Sequence, residues 1–255
     1  MPGGSNNLAN SCNTIPVAHE LLYEDEHFLV LAKPAGLLTI PDRFGNKDSL
    51  QAALEQQYGK IFVVHRLDRE TSGVICFART EAAHRHLSMQ FEHHSADKFY
   101  LVLVDGVMHL DEGEINKPIG EHPSVSGKMA VVNNGKPSLT FYRVLERFKR
   151  FTLAEALLKT GRTHQVRVHF QSIGYPLAVD PLYGRRSSFL LSEIKLKGFK
   201  LGKYSEEERP IMNRTSLHSS RLRIDHPATG ERMEFKAELP KDFQAVLSQL
   251  RKWGQ

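Results

Sequence analysis

The chain has 255 residues, 40% of them hydrophobic, enough for one substantial core or two lobes sharing a sheet. No run approaches the roughly 20 apolar residues that span a bilayer, and the two cysteines, Cys12 and Cys76, exclude a disulfide framework and a cysteine metal cluster. The formal charge of +5, with an isoelectric point near 9.1, is a mild basic bias that excludes little by itself.

The start of the chain lacks the basic residues and apolar core of a secretion signal, so residues 1–17 read as a flexible leader before one domain over 18–255. The cysteine usage predicts a reducing, cytoplasmic location. Residues 20–23 and 27–33 read as strands around Asp25-Glu26, ended by Pro34 and Gly36. Asp48 is placed to cap a helix carrying Leu50, Ala53, Leu54 and Tyr58. Residues 61–64 are a short apolar run, and 74–78 its partner strand, with the polar segment 66–73 between them. Thr80 then caps a helix with Ala83, Leu87 and Phe91 on one side.

Further strands are expected at 99–104, 136–145 and 151–158, followed by a helix capped by Thr163 and stopped at Gly174. Residues 187–213 mix charge, Gly and Pro without periodicity and read as a long surface excursion. A hairpin over 217–224 and 232–237 follows, and Asp242 caps a last helix with Phe243, Val246, Leu247 and Leu250 as its core stripe. Strands outnumber helices and are joined by short turns, which predicts an α+β fold with a mixed, mostly antiparallel sheet and a cleft flanked by helices and loops. No Gly-rich phosphate loop follows a strand, so no cofactor is expected. Without a sustained heptad or a spare apolar helix face, a monomer is the default.

Basic residues cluster. Seven lie between Arg143 and His169 against Glu146 and Glu155, and six between Arg185 and Lys203 against Glu193. That is the footprint of a phosphate-backbone partner, and equally of a solvated basic surface.

Two constellations carry chemistry. In the first, Asp68 stands in a polar loop between two apolar strands, flanked by Arg66 and Arg69 and followed by Thr71-Ser72-Gly73. Opposite charges on both sides favour its ionised form. The plainer account, a turn aspartate bonding Thr71 or Ser72, is the one the residues alone favour. The second runs from Gly161 to His169. On a helix there, Val166, Phe170 and Ile173 share a buried face, and Arg167 stands one turn on from His164. His164 and His169 lack the i, i+4 spacing of a zinc helix, so no metal is expected.

His65-Arg66-Leu67-Asp68 with Thr71-Ser72-Gly73 resembles the signature loop of the RluA-type RNA pseudouridine synthases. Four more segments occur in that family's order: Val30 to Leu37; Lys98-Phe99-Tyr100; Gly161 to His169 with Gly174 to Gly184; and Leu217-His218 through His226 to Glu231. The resemblance spans residues 18 to 252. It implies an isomerase that breaks the N1–C1′ bond of an RNA uridine, turns the uracil and rejoins it through C5. Asp68 is by position the carboxylate, as nucleophile or as base at the sugar. Tyr100 matches the tyrosine that stacks on the uracil, and Arg167 the arginine paired with the aspartate, with Arg162 in reserve.

Arg66 resembles the residue that fills the space left by the extruded base. Arg69, Arg162, His164 and Lys98 are expected to contact RNA, either ribosomal or transfer. The plainer accounts are a core-facing Tyr100, a surface salt bridge at Arg167 and a phosphate contact at Arg66. Many members carry a small basic RNA-binding domain before the catalytic one. About eighteen residues precede the matching segments here, too few for a domain. Target choice is then expected to rest on the catalytic domain's basic faces, including 187–213. The rival from another class is a non-catalytic RNA-binding or ribosome-assembly factor on the same fold.

Overall fold

A computed structural model describes residues 20–42, 48–195, 199 and 207–254; the expected leader and part of the 187–213 excursion lie outside them. The elements in chain order are β1 (Glu20–Glu24), β2 (Phe28–Lys33), α1 (Leu50–Tyr58), β3 (Phe62–Val63), β4 (Ser72–Ala78), α2 (Glu81–Glu92) and β5 (Asp97–Asp105). Then come β6 (Glu112–Asn116), β7 (Ile119–Glu121), β8 (Met129–Val131), β9 (Leu139–Arg147), β10 (Phe151–Leu158) and α3 (Gln165–Ser172). The chain closes with β11 (Leu217–Asp225), β12 (Arg232–Lys236) and α4 (Lys241–Trp253).

Ten strands form one sheet in the order β1-β2-β4-β11-β5-β10-β9-β6, with β12 on β11 and β3 on β4. Only β4 and β11 run parallel; the other pairs are antiparallel, giving the expected mixed α+β sheet. β7 and β8 form a separate ribbon.

The alternation of side chains along a strand sorts the core into two faces. Leu29, Leu31, Ile75, Phe77, Tyr100, Val102 and Val104 pack with Leu50 and Leu54 of α1 and with Val166 and Phe170 of α3. Phe28, Val30, Val74, Cys76 and Ala78 pack on the opposite face with Ala83 and Leu87 of α2. β2 and β4 are covered on both faces, which is why they read as unbroken apolar runs. None of the described helices is long and apolar enough to cross a membrane.

Several expected caps move. Thr80 does cap α2, accepting from the Ala83 amide at 3.1 Å. In α1 it is Ser49, not Asp48, that accepts from the Ala52 amide. α3 starts one residue later than expected, with His164 at its N-cap in the left-handed region (φ 57°) and no side-chain cap bond, so Thr163 does not cap it. Gly174, at φ 88°, does occupy the left-handed position beyond that helix. α4 has Pro240 at its N-cap, and the Asp242 carboxylate is taken by Arg214.

The expected excursion is also revised. Phe189, Ile194 and Met212 are buried in a third cluster with Phe243, Val246, Leu247 and Leu250 of α4, and Phe189 and Met212 pair as a β-bridge. Its apolar residues are spaced irregularly because they anchor a loop to the core and do not form one face of an element.

Candidate active site

Asp68 leaves the sheet on a short leash. Leu67 before it is buried, and both its backbone groups bond the Thr39 hydroxyl, at 3.2 Å from the amide and 2.9 Å to the carbonyl. The turn closes through the backbone, with the Thr71 amide donating to the Asp68 carbonyl at 3.0 Å. The carboxylate is therefore not used in the turn and points into the cleft. The Lys33 ammonium, 1% exposed, ties the same loop to the turn after β2 by donating to the carbonyls of Pro34, Leu37 and Arg69. Burial, only partly opposed by Asp68 and Glu70, lowers the Lys33 pKa to about 7.

Beyond the turn, β4 and β11 run side by side with Gly73 beside Ser219, and Ser219 in turn faces Tyr100 on β5. A Cβ on Gly73 would lie 2.0 Å from the Ser219 carbonyl oxygen, and its φ of 115° is one that L side chains rarely adopt. Glycine here lets the Asp68 loop and Tyr100 face one cleft. Ser72 is fixed from behind by His218 Nδ1 at 2.9 Å and by Arg214 at 3.2 Å. His218, bonded also to the Ala237 carbonyl, has its pKa pushed down to about 4 by burial and is neutral.

The opposite wall is α3. Arg167 places a two-pronged fork on Asp180, at 2.7 and 2.8 Å, and turns its third nitrogen to Asp68 Oδ2 at 3.4 Å. The Asp180 side chain is wholly buried, and its Oδ1 also accepts from the Leu182 and Tyr183 amides. Burial disfavours the Arg167 charge, but the bonds and charge of Asp180, with Asp68 adding to them, raise its pKa above the usual arginine value. An arginine planted in this way presents a fixed positive charge to Asp68. The flanking arginines do not perform that service. Arg69 donates to the Gly36 carbonyl, and Arg66 is exposed with no ion pair among the described residues.

All eight expected residues, Arg66, Asp68, Arg69, Lys98, Tyr100, Arg162, His164 and Arg167, line one cleft of about 870 Å³. Tyr100 serves both accounts of it: it belongs to the core cluster under β5, and it also lines the cleft. Burial, then the charge of Asp68, raises its pKa, so it stays a phenol. Lys98 lies two residues before Tyr100 on the same face of β5 and is 6% exposed. Its ammonium lies 5.6 Å from the Phe91 ring centre and has no carboxylate partner among the described residues. Burial, with Lys159 close by, lowers its pKa to about 8.

Arg162, the reserve for pairing with Asp68, bonds the Pro137 carbonyl instead. His164 Nε2 lies 3.8 Å from Asp68 Oδ2. His169 is buried between Thr140 and the Lys117 carbonyl, and no group of three potential metal ligands occurs among the described residues. A second hollow of about 650 Å³ lies across the sheet, where Arg221 and Glu155 already pair at 3.0 Å.

Asp180, Lys33, Thr39 and Arg214 carry this geometry and were not singled out by their sequence context. The available signal was an acidic residue directly after the apolar run Pro176 to Val179, where an unpaired charge would be costly.

Residues 27–172 match the family model described as RNA pseudouridylate synthase. The ribosomal large subunit pseudouridine synthase D of Pseudomonas aeruginosa is 42% identical over 240 residues, covering 91% of this chain and 72% of that protein. The protein of the same description from Nitrosomonas europaea is 37% identical, covering 96% and 69%. The solved structure of human RNA Pseudouridylate Synthase Domain Containing 4 superposes with a TM-score of 0.68 at 25% identity, covering 91% of this chain and 93% of that one. With the segments bearing Asp68, Tyr100 and Arg167 lining one cleft, the chain belongs to the RluA-type family of RNA pseudouridine synthases.

Proposed function

We propose that this isomerase acts on ribosomal RNA and that Asp68 is the carboxylate that works at the ribose of the target uridine. The observation that carries the role of Asp68 is its pairing with Arg167, itself planted on the fully buried Asp180. Either role at the sugar, nucleophile or base, uses a carboxylate oxygen, and Arg167 holds one of them in place before substrate arrives. The ribosomal target is supported by the names of the relatives from Pseudomonas aeruginosa and Nitrosomonas europaea.

The reaction breaks N1–C1′, forms C5–C1′, removes the C5 proton and returns one to N1, with no net redox change. The target base must leave its stack to reach the cleft, at a cost of a few kcal/mol in paired RNA. Tyr100 offers its ring face to the uracil; as a phenol it is a hydrogen-bond group at neutral pH, and another group must receive any proton it passes on. The ammonium of Lys98, without a carboxylate partner among the described residues and with Arg162 beside it, suits a phosphate of the same strand. Arg66 and Arg69 at the rim extend that positive lining, and the protein acts as a monomer.

The test is tritium release from RNA labelled with 5-[³H]uridine. Asp68→Asn should abolish release while leaving RNA binding intact; full activity in that variant would overturn the role given to Asp68. Mapping pseudouridines in cells with and without the gene tests the target, since a site missing from transfer RNA alone would remove the ribosomal assignment.

A further inference from the structure

A second chain of contacts reaches Asp68, through side chains that the reaction as described leaves unused. Tyr183 is 3% exposed, and its hydroxyl lies 2.8 Å from the Met129 amide of the β7–β8 ribbon and 2.8 Å from His164 Nδ1. The amide can only donate, so the phenol oxygen accepts from it. No third partner for that hydroxyl occurs among the described residues. If His164 Nδ1 carried a proton, the oxygen would accept twice and its own O–H would be buried without an acceptor. The satisfied arrangement has Met129 N–H donating to Tyr183, and Tyr183 O–H donating to Nδ1. The imidazole proton is then on Nε2, the nitrogen 3.8 Å from Asp68 Oδ2.

We infer that Tyr183 and His164 are positioning residues, Tyr183 locking His164 in the Nε2–H tautomer so that this N–H faces the Asp68 carboxylate. The inference rests on the role proposed for Asp68. His164 sits at the N-cap of α3 in the left-handed region, φ 57°, which is uncommon for a non-glycine residue. The ring stands edge-on to Tyr183, 5.5 Å between centres, and the side chain is 17% exposed, which leaves little of it for RNA.

The lock also sets the charge of His164. The groups that face it are Asp68 from the loop before β4, Arg167 from α3, and Asp180 and Tyr183 from the segment after α3. Lys128 of the ribbon lies 5.3 Å from the Tyr183 ring centre. Burial lowers the His164 pKa; Asp68 and Asp180 oppose that, and Arg167 adds to it. A donor into Nδ1 holds the ring neutral, since protonation would remove the acceptor. Burial also raises the Tyr183 pKa, so it remains that donor. A protonated His164 would form a full ion pair with Asp68 and take it from the substrate.

The experiment has two readouts on the full chain. The ¹⁵N–¹H correlation spectrum of the histidine rings, with the His164 signal assigned by its loss in His164→Gln, should show the Nε2–H tautomer near pH 7. Tyr183→Phe keeps the ring beneath Arg167 and removes the hydroxyl. It should raise the acid limb of the kcat profile by about one pH unit, the worth of one lost hydrogen bond, with KM little changed. Circular dichroism of the variant checks that it is folded. An Nδ1–H tautomer in the unaltered protein, or a Tyr183→Phe profile that superimposes on the unaltered one, would overturn the inference. Neither outcome touches the Asp68→Asn test, so the two can fail separately.

Discussion

Two buried arginines hold the two ends of one short loop, by the same means and for different ends. Arg167 forks onto Asp180 and gives its remaining nitrogen to the Asp68 carboxylate. Arg214 forks onto Asp242, at 2.6 and 2.9 Å, and gives its remaining nitrogen to the Ser72 hydroxyl and the carbonyls of Thr215 and Leu217. The first fork ends on a charge that is 32% exposed at the cleft; the second ends on neutral, buried groups at the β4–β11 junction. Identical geometry thus separates into an electrostatic task and a structural one, according to what the third nitrogen meets.

The largest expected effect is on the first fork. Arg167→Met should lower kcat per folded molecule by about 10²–10³, the range for losing a preorganised charge at a reacting group. Its melting temperature should drop as well, because Asp180 is left buried without its counter-charge. A loss below tenfold in single-turnover assays would make both forks structural.

Arg214→Met should cost about 3 kcal/mol in urea unfolding, the lower end for breaking a buried pair, because Asp242 is 31% exposed and can rehydrate. Its kcat per folded molecule should stay within about threefold. A hundredfold loss there would erase the distinction from the other side.

Acid should divide the two regions as well. His218 behind Ser72 is neutral in the fold with a pKa of about 4, below its unfolded value of about 6.5. The unfolded chain therefore binds more protons between those values, and stability falls as pH drops through that window. His218 contributes roughly 2–3 kcal/mol of this loss by pH 4. Urea midpoints at pH 7 and 4.5 measure it, and His218→Gln should flatten the slope.

Much of this was legible in residues whose local chemistry has one dominant outcome. The apolar runs of β2 and β4, the Thr80 cap, the left-handed Gly174 and the loop bearing Asp68 are set by a few neighbours. What escaped was set by partners far along the chain. Asp242 reads as a helix cap until Arg214, 28 residues away, claims its carboxylate. The arginines beside Asp68 look like its counter-ions, yet the one that pairs with it is 99 residues on. β6, β7 and β8 are short and carry mixed polar residues, so neither alternation nor length marks them. The 187–213 segment looks polar overall, and among its described residues a few scattered apolar side chains, Phe189, Ile194 and Ile211-Met212, pack into the core.

β11 lies between β4 and β5 in the middle of the sheet, and its contact between His218 and Ser72 spans 146 residues. That separation makes assembly of the cleft an event of high contact order. During synthesis at roughly 5–20 residues per second, Asp68, Tyr100 and Arg167 all leave the ribosome several seconds before the strand that completes the row from Gly73 through Ser219 to Tyr100. Until β11 inserts, the exposed edges of β4 and β5 face each other across a missing strand, and the nascent enzyme has its chemistry in hand with no floor to mount it on.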